Sequence, residues 1–173
     1  FYILRIRPFR RPFSLRSAMQ TKNITHATRE VAKTNLEEQP LVREALALTK
    51  EFARRFWNGE VEWCVSRLTD GFLWIGAQEG QFTVSCDQFR RQMEAVMEAH
   101  PRVVLANERY VPVAARDGLC VVAGSYLGFT DPSSGQVIAQ EQRFTFVWED
   151  DGESLKINHY HVSNPLQIAN ADE

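Results

Sequence analysis

Two histidines and a serine near the end of the chain, His159, His161 and Ser163, occupy alternate positions in the segment INHYHVSNP. If this segment is a β-strand, the three side chains and Ile157 point to one face, because successive side chains of a strand point to opposite faces. Such a row could bind a metal ion, carry out acid–base chemistry, line a pocket or pack in a core. The residue types alone leave these four alternatives open.

A metal site would need at least one further protein ligand beside His159 and His161. The other two histidines, His26 and His100, lie in the N-terminal segment and at the end of a predicted helix. Glu141 is a candidate carboxylate ligand on the neighbouring predicted strand, but the spacing of these residues matches no common metal motif. We therefore expect no metal ion.

Acid–base chemistry is the second alternative, because histidine titrates near neutral pH and is the most common general acid or base. His159 or His161 could then transfer a proton next to a carbonyl group, helped by a carboxylate in the same pocket. No acidic residue has a spacing that selects it for this role; the candidates are Asp87, Glu94, Glu108 and Glu141.

Arg143 lies in the middle of a predicted strand among aromatic residues, where an unpaired charge is costly to bury. It could form an ion pair with Glu141, or it could join the histidine row and bind an acidic or carbonyl group. Aromatic side chains on other strands could form the wall of a pocket for a flat ligand. The candidate ligand-binding residues are therefore Arg143, His159, His161, Ser163, Trp74 and Tyr126.

The elements that must position these residues begin with helices. Apolar residues recur every three or four positions in three segments, at residues 40–57, 60–68 and 86–100. Ser85 and Gln88 have the spacing of a capping box at the start of the third. The predicted inward face of the first helix carries Leu41, Ala45, Leu48, Phe52 and Phe56.

Strands account for most of the remaining chain. A short apolar strand at residues 72–76 precedes the third helix, and β-branched and aromatic residues dominate four later segments, at 102–114, 118–129, 137–148 and 155–163. Short connections with turn residues predict an antiparallel meander. The sequence thus predicts an α+β fold in which three helices pack on a strongly curved antiparallel sheet, with a small-molecule site at the mouth of the resulting cone.

Composition excludes several classes of function. The first 18 residues contain five arginines and no acidic residue, so the rest of the chain carries 15 basic against 22 acidic side chains, which argues against nucleic-acid binding. No apolar run has the length of a membrane-spanning helix. Three cysteines without CxxC spacing indicate neither a zinc site nor a disulfide framework, so we expect a cytoplasmic protein. Phosphate-binding glycine motifs are absent, and we expect no cofactor.

The chain divides into three predicted segments. Residues 1–37 form a basic and polar leader, which we expect to be poorly ordered or to be an upstream segment and which has some features of a transit peptide. Residues 38–165 contain all the predicted helices and strands and form the domain. Residues 166–173 form a C-terminal tail.

Three motifs of the domain resemble a known family: FLWIG at 72–76, RFTFVW at 143–148 and HYHVS at 159–163. With the order of elements, they resemble the SnoaL-like branch of the nuclear transport factor 2 (NTF2)-like superfamily, which implies a cystatin-like cone over residues 38–165. That superfamily includes isomerases, cyclases, dehydratases, kinase oligomerisation domains and ligand-binding domains. The residue before the last strand is commonly Trp in that branch and is Leu155 here. The segments at 74–82 and 161–165 are also similar to domains that precede LytTR-type DNA-binding domains.

The first functional hypothesis is a non-catalytic, homodimeric domain that binds a small organic ligand or mediates assembly. The second is a SnoaL-like isomerase, cyclase or dehydratase, with His159 or His161 as the acid–base residue and Arg143 as its electrostatic partner. The third is the sensor module of a bacterial transcriptional regulator. None of these hypotheses requires the domain itself to contact nucleic acid or a membrane.

Overall fold

The computed structural model describes residues 36–100, 103–130 and 139–165. Most of the predicted leader, the predicted turn at 131–135 and the predicted tail at 166–173 lie outside these residues. Within the described part, no helix is long and apolar enough to cross a membrane.

The first helix, α1, spans Pro40–Trp57 and begins with a proline in its first turn, where no backbone N–H is needed for the helix. It ends where Gly59 adopts a positive φ of 74°. Its buried face is centred one residue later than the sequence indicated, because Leu41 and Leu48 are only half-buried. The residues of α1 that are buried are Val42, Ala45, Thr49, Phe52, Ala53 and Phe56.

Two further helices follow. Helix α2 is short, Val61–Ser66, and helix α3 spans Cys86–Ala99. The predicted cap of α3 is confirmed in part: the Gln88 backbone N–H donates to Ser85 Oγ over 3.3 Å. The prediction that the Gln88 side chain bonds back to the Ser85 backbone N–H, which would complete a capping box, is wrong. The Gln88 side chain instead accepts a 2.7 Å hydrogen bond from the Thr83 hydroxyl.

Six strands form one sheet in the order β2-β1-β6-β5-β4-β3. The four long strands make the predicted antiparallel meander, and β2 pairs antiparallel with β1. Strand β1, however, pairs parallel with β6, so the sheet is mixed rather than purely antiparallel. The strands are β1 Leu68–Ile75, β2 Phe82–Thr83, β3 Val103–Arg116, β4 Leu119–Thr130, β5 Ala139–Asp150 and β6 Leu155–Ser163.

The core lies between the helices and one face of this sheet, which we call the inner face. Phe52 of α1 packs edge-on against Phe146 of β5 and Tyr160 of β6, with ring centroids 5.3 and 5.7 Å away. The indole of Trp148 on β5 donates a 2.8 Å hydrogen bond to the Thr49 hydroxyl on α1. These contacts confirm the α+β architecture and place helix α1 against the central strands.

A bulge in β6 decides which of its side chains face the core. Trp148 pairs with Ile157 and Val147 pairs with His159, so Asn158 is an extra residue in the strand. The bulge places two residues that are three positions apart, Ile157 and Tyr160, on the same buried face. An inserted residue reverses the alternation of every side chain that follows it.

Candidate functional site

A cavity of about 80 Å³ lies between the helices and the inner face of the sheet. It is lined by residues from two helices, five strands and the turn between β1 and β2. We call it the inner cavity. Its lining residues are Phe56, Trp57, Trp74, Ala77, Gln78, Gln81, Val96, His100, Val103, Gly128, Gln140, Gln142, Tyr160, Val162 and Asn164.

The walls of the inner cavity are largely aromatic. Trp57 follows Phe56 at the end of α1, and their rings meet edge-on at 5.2 Å. Trp74 on β1 contacts the ring of Phe89 on α3 edge-on, with centroids 5.0 Å apart. Tyr160 on β6 stacks on Phe146 of β5, the core residue that also contacts α1. Rings held in this way by their neighbours make rigid apolar walls of the kind that small-molecule sites use.

One group of polar side chains beside the cavity is already hydrogen-bonded within the protein. The Trp57 indole N–H donates to the Tyr126 hydroxyl at 3.0 Å, and this hydroxyl donates to Gln142 Oε1 at 2.8 Å. Burial raises the pKa of Tyr126 to about 12, although hydrogen bonds with Trp57 and Tyr160 act in the opposite direction. Tyr126 therefore stays neutral at physiological pH and holds Trp57 and Gln142 in place.

Two other polar atoms of the lining residues have no hydrogen-bond partner among the described residues. They are the indole nitrogen Nε1 of Trp74 and the amide oxygen Oδ1 of Asn164. Both atoms are buried, and the Trp74 side chain as a whole is only 2% exposed. Buried polar groups are normally paired, so these two atoms are exceptions. Neither atom has appreciable accessible surface, so both lie behind the cavity wall rather than on it.

Among the described lining residues, His100 is the one histidine, and no Asp, Glu, Lys or Arg is present. The acidic residues considered from the sequence interact elsewhere. Glu108 accepts hydrogen bonds from Tyr110 and Arg54, and Asp87 pairs with Arg90. The carboxylate that proton transfer was expected to need is therefore not brought to the described lining of the cavity.

Comparison with known proteins shows a shared fold at low sequence identity. No family model and no curated protein matches the chain. A candidate calcium/calmodulin-dependent protein kinase II association domain from Xanthomonas campestris superposes with a TM-score of 0.61 at 18% identity, covering 73% of this chain and 89% of that one. A candidate dehydratase of the NTF2-like family from Streptomyces avermitilis gives 0.60 at 13% identity, with 72% and 96% covered.

A ketosteroid isomerase-like protein from Erwinia carotovora atroseptica gives a TM-score of 0.57 at 16% identity, covering 71% of this chain and 96% of that one. The chain has the NTF2-like fold. The cystatin-like cone that the sequence motifs implied is thus confirmed, since a further structural neighbour, from Nostoc punctiforme, is described as having a cystatin-like fold. The SnoaL-like branch and the similarity to LytTR-associated domains stay predictions.

Within this NTF2-like fold, the expectation that the histidine row faces the cone is wrong. His159, His161 and Ser163 do share a face, but the bulge at Asn158 turns that face away from the core. His159 is half-buried and His161 exposed, whereas Tyr160 between them is buried. Ile157, expected on the same face as the histidines, lies on the opposite face for the same reason.

Arg143 also lies on this outer face, where β5 pairs it with Ser163. The structure thus brings Arg143 and the histidine row together, as the sequence suggested, but on the side of the sheet opposite to the cavity. The Arg143 side chain is 60% exposed, and its Nε lies 3.5 Å from Glu141 Oε1. Of the two alternatives for Arg143, the surface ion pair is the contact that forms.

The two histidines make limited contacts on the outer face. Their ring centroids are 6.5 Å apart, and His159 Nδ1 lies 3.1 Å from the backbone oxygen of Leu73 on β1. Among the described residues, no group of three or more His, Cys, Asp or Glu side chains is arranged to hold a metal ion. A role for His159 or His161 in ligand binding stays a prediction.

The two aromatic candidates are on the inner face. Trp74 lines the cavity, and Tyr126 lies behind it, bonded to two lining residues. Three further lining residues, Gln142, Asn164 and His100, are not among the site residues that the sequence predicts. A signal existed for Gln142, because it alternates with the aromatic residues of β5; none existed for the other two, which lie where elements end and are placed by the fold alone.

Proposed function

We propose that this domain binds a small organic molecule in the inner cavity. The observation that carries this proposal is the combination of rigid aromatic walls with a few polar side chains, among them those of Gln142 and His100, in the lining of one cavity. Pockets for small molecules typically combine a mostly apolar lining with a few polar groups that orient the ligand.

Non-catalytic binding is the form of the proposal that the lining supports. Two structural neighbours are described as a dehydratase candidate and as isomerase-like, and proton transfer in this cavity would rest on His100 without a carboxylate partner among the described residues. General acid–base catalysis depends on groups placed within hydrogen-bond reach of the reacting proton. We therefore favour binding, and we keep the isomerase, cyclase or dehydratase function as the alternative.

The test of binding is a fragment screen on the purified protein, read as a shift of the thermal unfolding midpoint. Val96→Phe introduces a larger side chain into the cavity lining, and Val84→Phe introduces the same side chain at a position that is 66% exposed and not part of the lining. We expect fragments that stabilise the wild type to lose their effect on Val96→Phe and to retain it on Val84→Phe. Equal shifts in both variants would place the binding site elsewhere.

We also propose that the outer face of the sheet mediates self-association into a homodimer. Val104 and Leu119 lie on this face of β3 and β4 with 59% and 43% of their surface exposed, although they are apolar. Between these two residues, the half-buried side chains of Val121, Leu127 and Phe129 on β4 share the same face, so apolar surface runs along the strand. A contiguous apolar surface of this kind is typical of a face that a second copy covers. Sedimentation velocity should give a dimer for the wild type and a monomer for Leu119→Glu. A wild-type protein that is monomeric at all concentrations would contradict this proposal.

A further inference from the structure

We propose that the outer face of the sheet binds a doubly charged oxyanion, such as a phosphate group, between Arg109 and Arg143, and that this anion strengthens the homodimer. The inference rests on the proposed self-association through this face and names a ligand that stabilises it. The inner cavity has no part in it.

Four residues lie side by side across four strands of the outer face. Strand register pairs Arg109 of β3 with Ser125 of β4, Ser125 with Arg143 of β5, and Arg143 with Ser163 of β6. Side chains of directly paired residues point to the same side of a sheet, with Cβ atoms about 5 Å apart. We call these four residues the arginine row. Because one serine separates the two arginines, both long side chains can reach an anion placed over that serine.

The guanidinium groups of the arginine row have few partners within the protein. Arg143 contacts Glu141 through Nε alone, at 3.5 Å, and its side chain is 60% exposed. Every other ion pair between described residues is 3.1 Å or shorter, and exposed pairs contribute little to stability. Arg109 is exposed and forms no ion pair with another described residue. Most donors of both groups therefore remain available to a ligand.

The arginine row crosses the apolar surface that the homodimer is proposed to bury. Ser125 lies between Ala123 and Leu127 on the outward side of β4, so a partner copy that covers Val121 and Leu127 also covers the row. Among the described residues next to the row on this face, Glu141 is the one acidic residue. Two arginines and one carboxylate from each copy leave the interface with two positive charges in excess. Charge buried without an opposite charge is costly.

A doubly charged oxyanion meets both the charge and the hydrogen-bonding requirements of this interface. Its two negative charges match the excess, whereas one carboxylate group would leave a positive charge unpaired. Guanidinium groups donate in a planar fork that fits the oxygens of phosphate, and serine hydroxyls also donate. Ser125 and Ser163 are half-buried beside the arginines. The chemical class is therefore a phosphate or sulfate group, either free or carried by a small molecule as an ester.

The test is sedimentation velocity on the full chain in buffers of equal ionic strength that contain chloride alone or low millimolar phosphate, phenyl phosphate or acetate. We expect inorganic phosphate to raise the association constant of the dimer about tenfold over chloride, the factor for one net hydrogen bond to a charged group. Acetate should have little effect. An effect of inorganic phosphate alone would assign the site to the free ion, and an equal or larger effect of phenyl phosphate would assign it to a phosphate ester.

Variants of the arginine row separate binding at this place from a general effect of phosphate. Arg109→Gln removes one excess positive charge from each copy, so its dimer should be tighter than that of the wild type in chloride and should not respond to phosphate. Arg143→Gln should lose the response to phosphate as well. The matched control is Arg91→Gln, which removes an exposed arginine from α3, on the helical side of the sheet, and should respond as the wild type does.

The outcomes distinguish the anion site from the homodimer itself. If the wild type is monomeric in all four buffers at every concentration, the proposed homodimer fails, and the present inference fails with it. If the wild type forms an equally tight dimer in all four buffers, the homodimer stands and the anion site is wrong. If phosphate strengthens the Arg109→Gln dimer as much as the wild type, the anion acts elsewhere. If acetate acts as strongly as phosphate, the assignment to a doubly charged ligand is wrong.

Discussion

Replacing Thr49 by valine should destabilise the fold because it removes a buried hydrogen bond between α1 and β5. Thr49 is fully buried, its hydroxyl accepts from the Trp148 indole at 2.8 Å, and it donates to the Ala45 carbonyl oxygen at 2.7 Å. Valine has nearly the same shape and a similar helix propensity, so packing and helix formation change little. The substitution therefore isolates the hydrogen bond.

The expected cost follows from what remains unpaired. After Thr49→Val the Trp148 indole N–H, on a residue with no exposed surface, has no acceptor, whereas the Ala45 oxygen keeps its bond within the helix. An unsatisfied buried donor costs about 1–3 kcal/mol, and the gain from burying a methyl group in place of a hydroxyl offsets part of that. We expect the free energy of unfolding to fall by about 2 kcal/mol.

Urea denaturation followed by tryptophan fluorescence measures this change, and the slope of the transition should be unaltered. The decisive comparison is the double variant with Trp148→Phe, which removes the donor. In that background Thr49→Val leaves no unpaired group, so its cost should drop to about zero. A cost that is the same with Trp148 and with phenylalanine would refute the reasoning, because the hydroxyl would then act through something other than the indole.

Three further substitutions or treatments test other parts of the structure. A methyl group at Gly124 would overlap the backbone oxygen of Arg109 on the next strand. Gly124→Ala should therefore lower the free energy of unfolding, measured by urea denaturation, by at least about 2 kcal/mol. Gly71→Ala should lower it far less, because a methyl group at Gly71 meets open space. Burial acts to raise the pKa of Glu108, but hydrogen bonds from a tyrosine and an arginine outweigh it and lower that pKa below its usual value. A lowered pKa in the folded state contributes stability at neutral pH that disappears as the pH falls through it, so Glu108→Gln should lower the melting temperature at pH 7 and have no effect near pH 3. Burial raises the pKa of the Cys64 thiol to about 12. Iodoacetamide at pH 8 should therefore leave Cys64 unmodified in the native protein and modify it in urea, as mass measurements would show. Rapid modification of Cys64 in the native protein would contradict its buried placement.

Much of the secondary structure could be predicted from the sequence because its signals are local. The periodicity of α1, the Ser85 cap of α3 and the turn residues between the long strands each depend on neighbours a few positions away. The buried face of α1 was less well predicted, since Thr49 replaces the more apolar Leu48 at the centre of that face. A hydroxyl becomes favourable there because the indole of Trp148, distant in the chain, needs an acceptor.

The site was predicted less well than the fold. The sequence predicts Trp74 and Tyr126 as pocket walls because aromatic side chains are common in small-molecule sites. In the structure Trp74 lines the inner cavity, whereas Tyr126 lies outside the lining and is hydrogen-bonded to two lining residues. His159, His161 and Arg143 were assigned to the wrong side of the sheet, although they do lie near one another. Their mutual placement follows from strand register, which the meander determines, and the choice of side follows from the bulge.

The sequence by itself determined the composition of each element, the order of the elements and the set of residues that share a face within an uninterrupted strand. These properties depend on short-range periodicity and turn chemistry. Only the tertiary structure decided that β1 joins β6 in parallel, that the bulge at Asn158 directs Tyr160 inward and the histidines outward, and that Trp74 and Asn164 line one cavity. The physical reason is that a strand has two faces, and the face that becomes the inside is chosen by the helices that cover it and by a one-residue insertion that no periodicity marks.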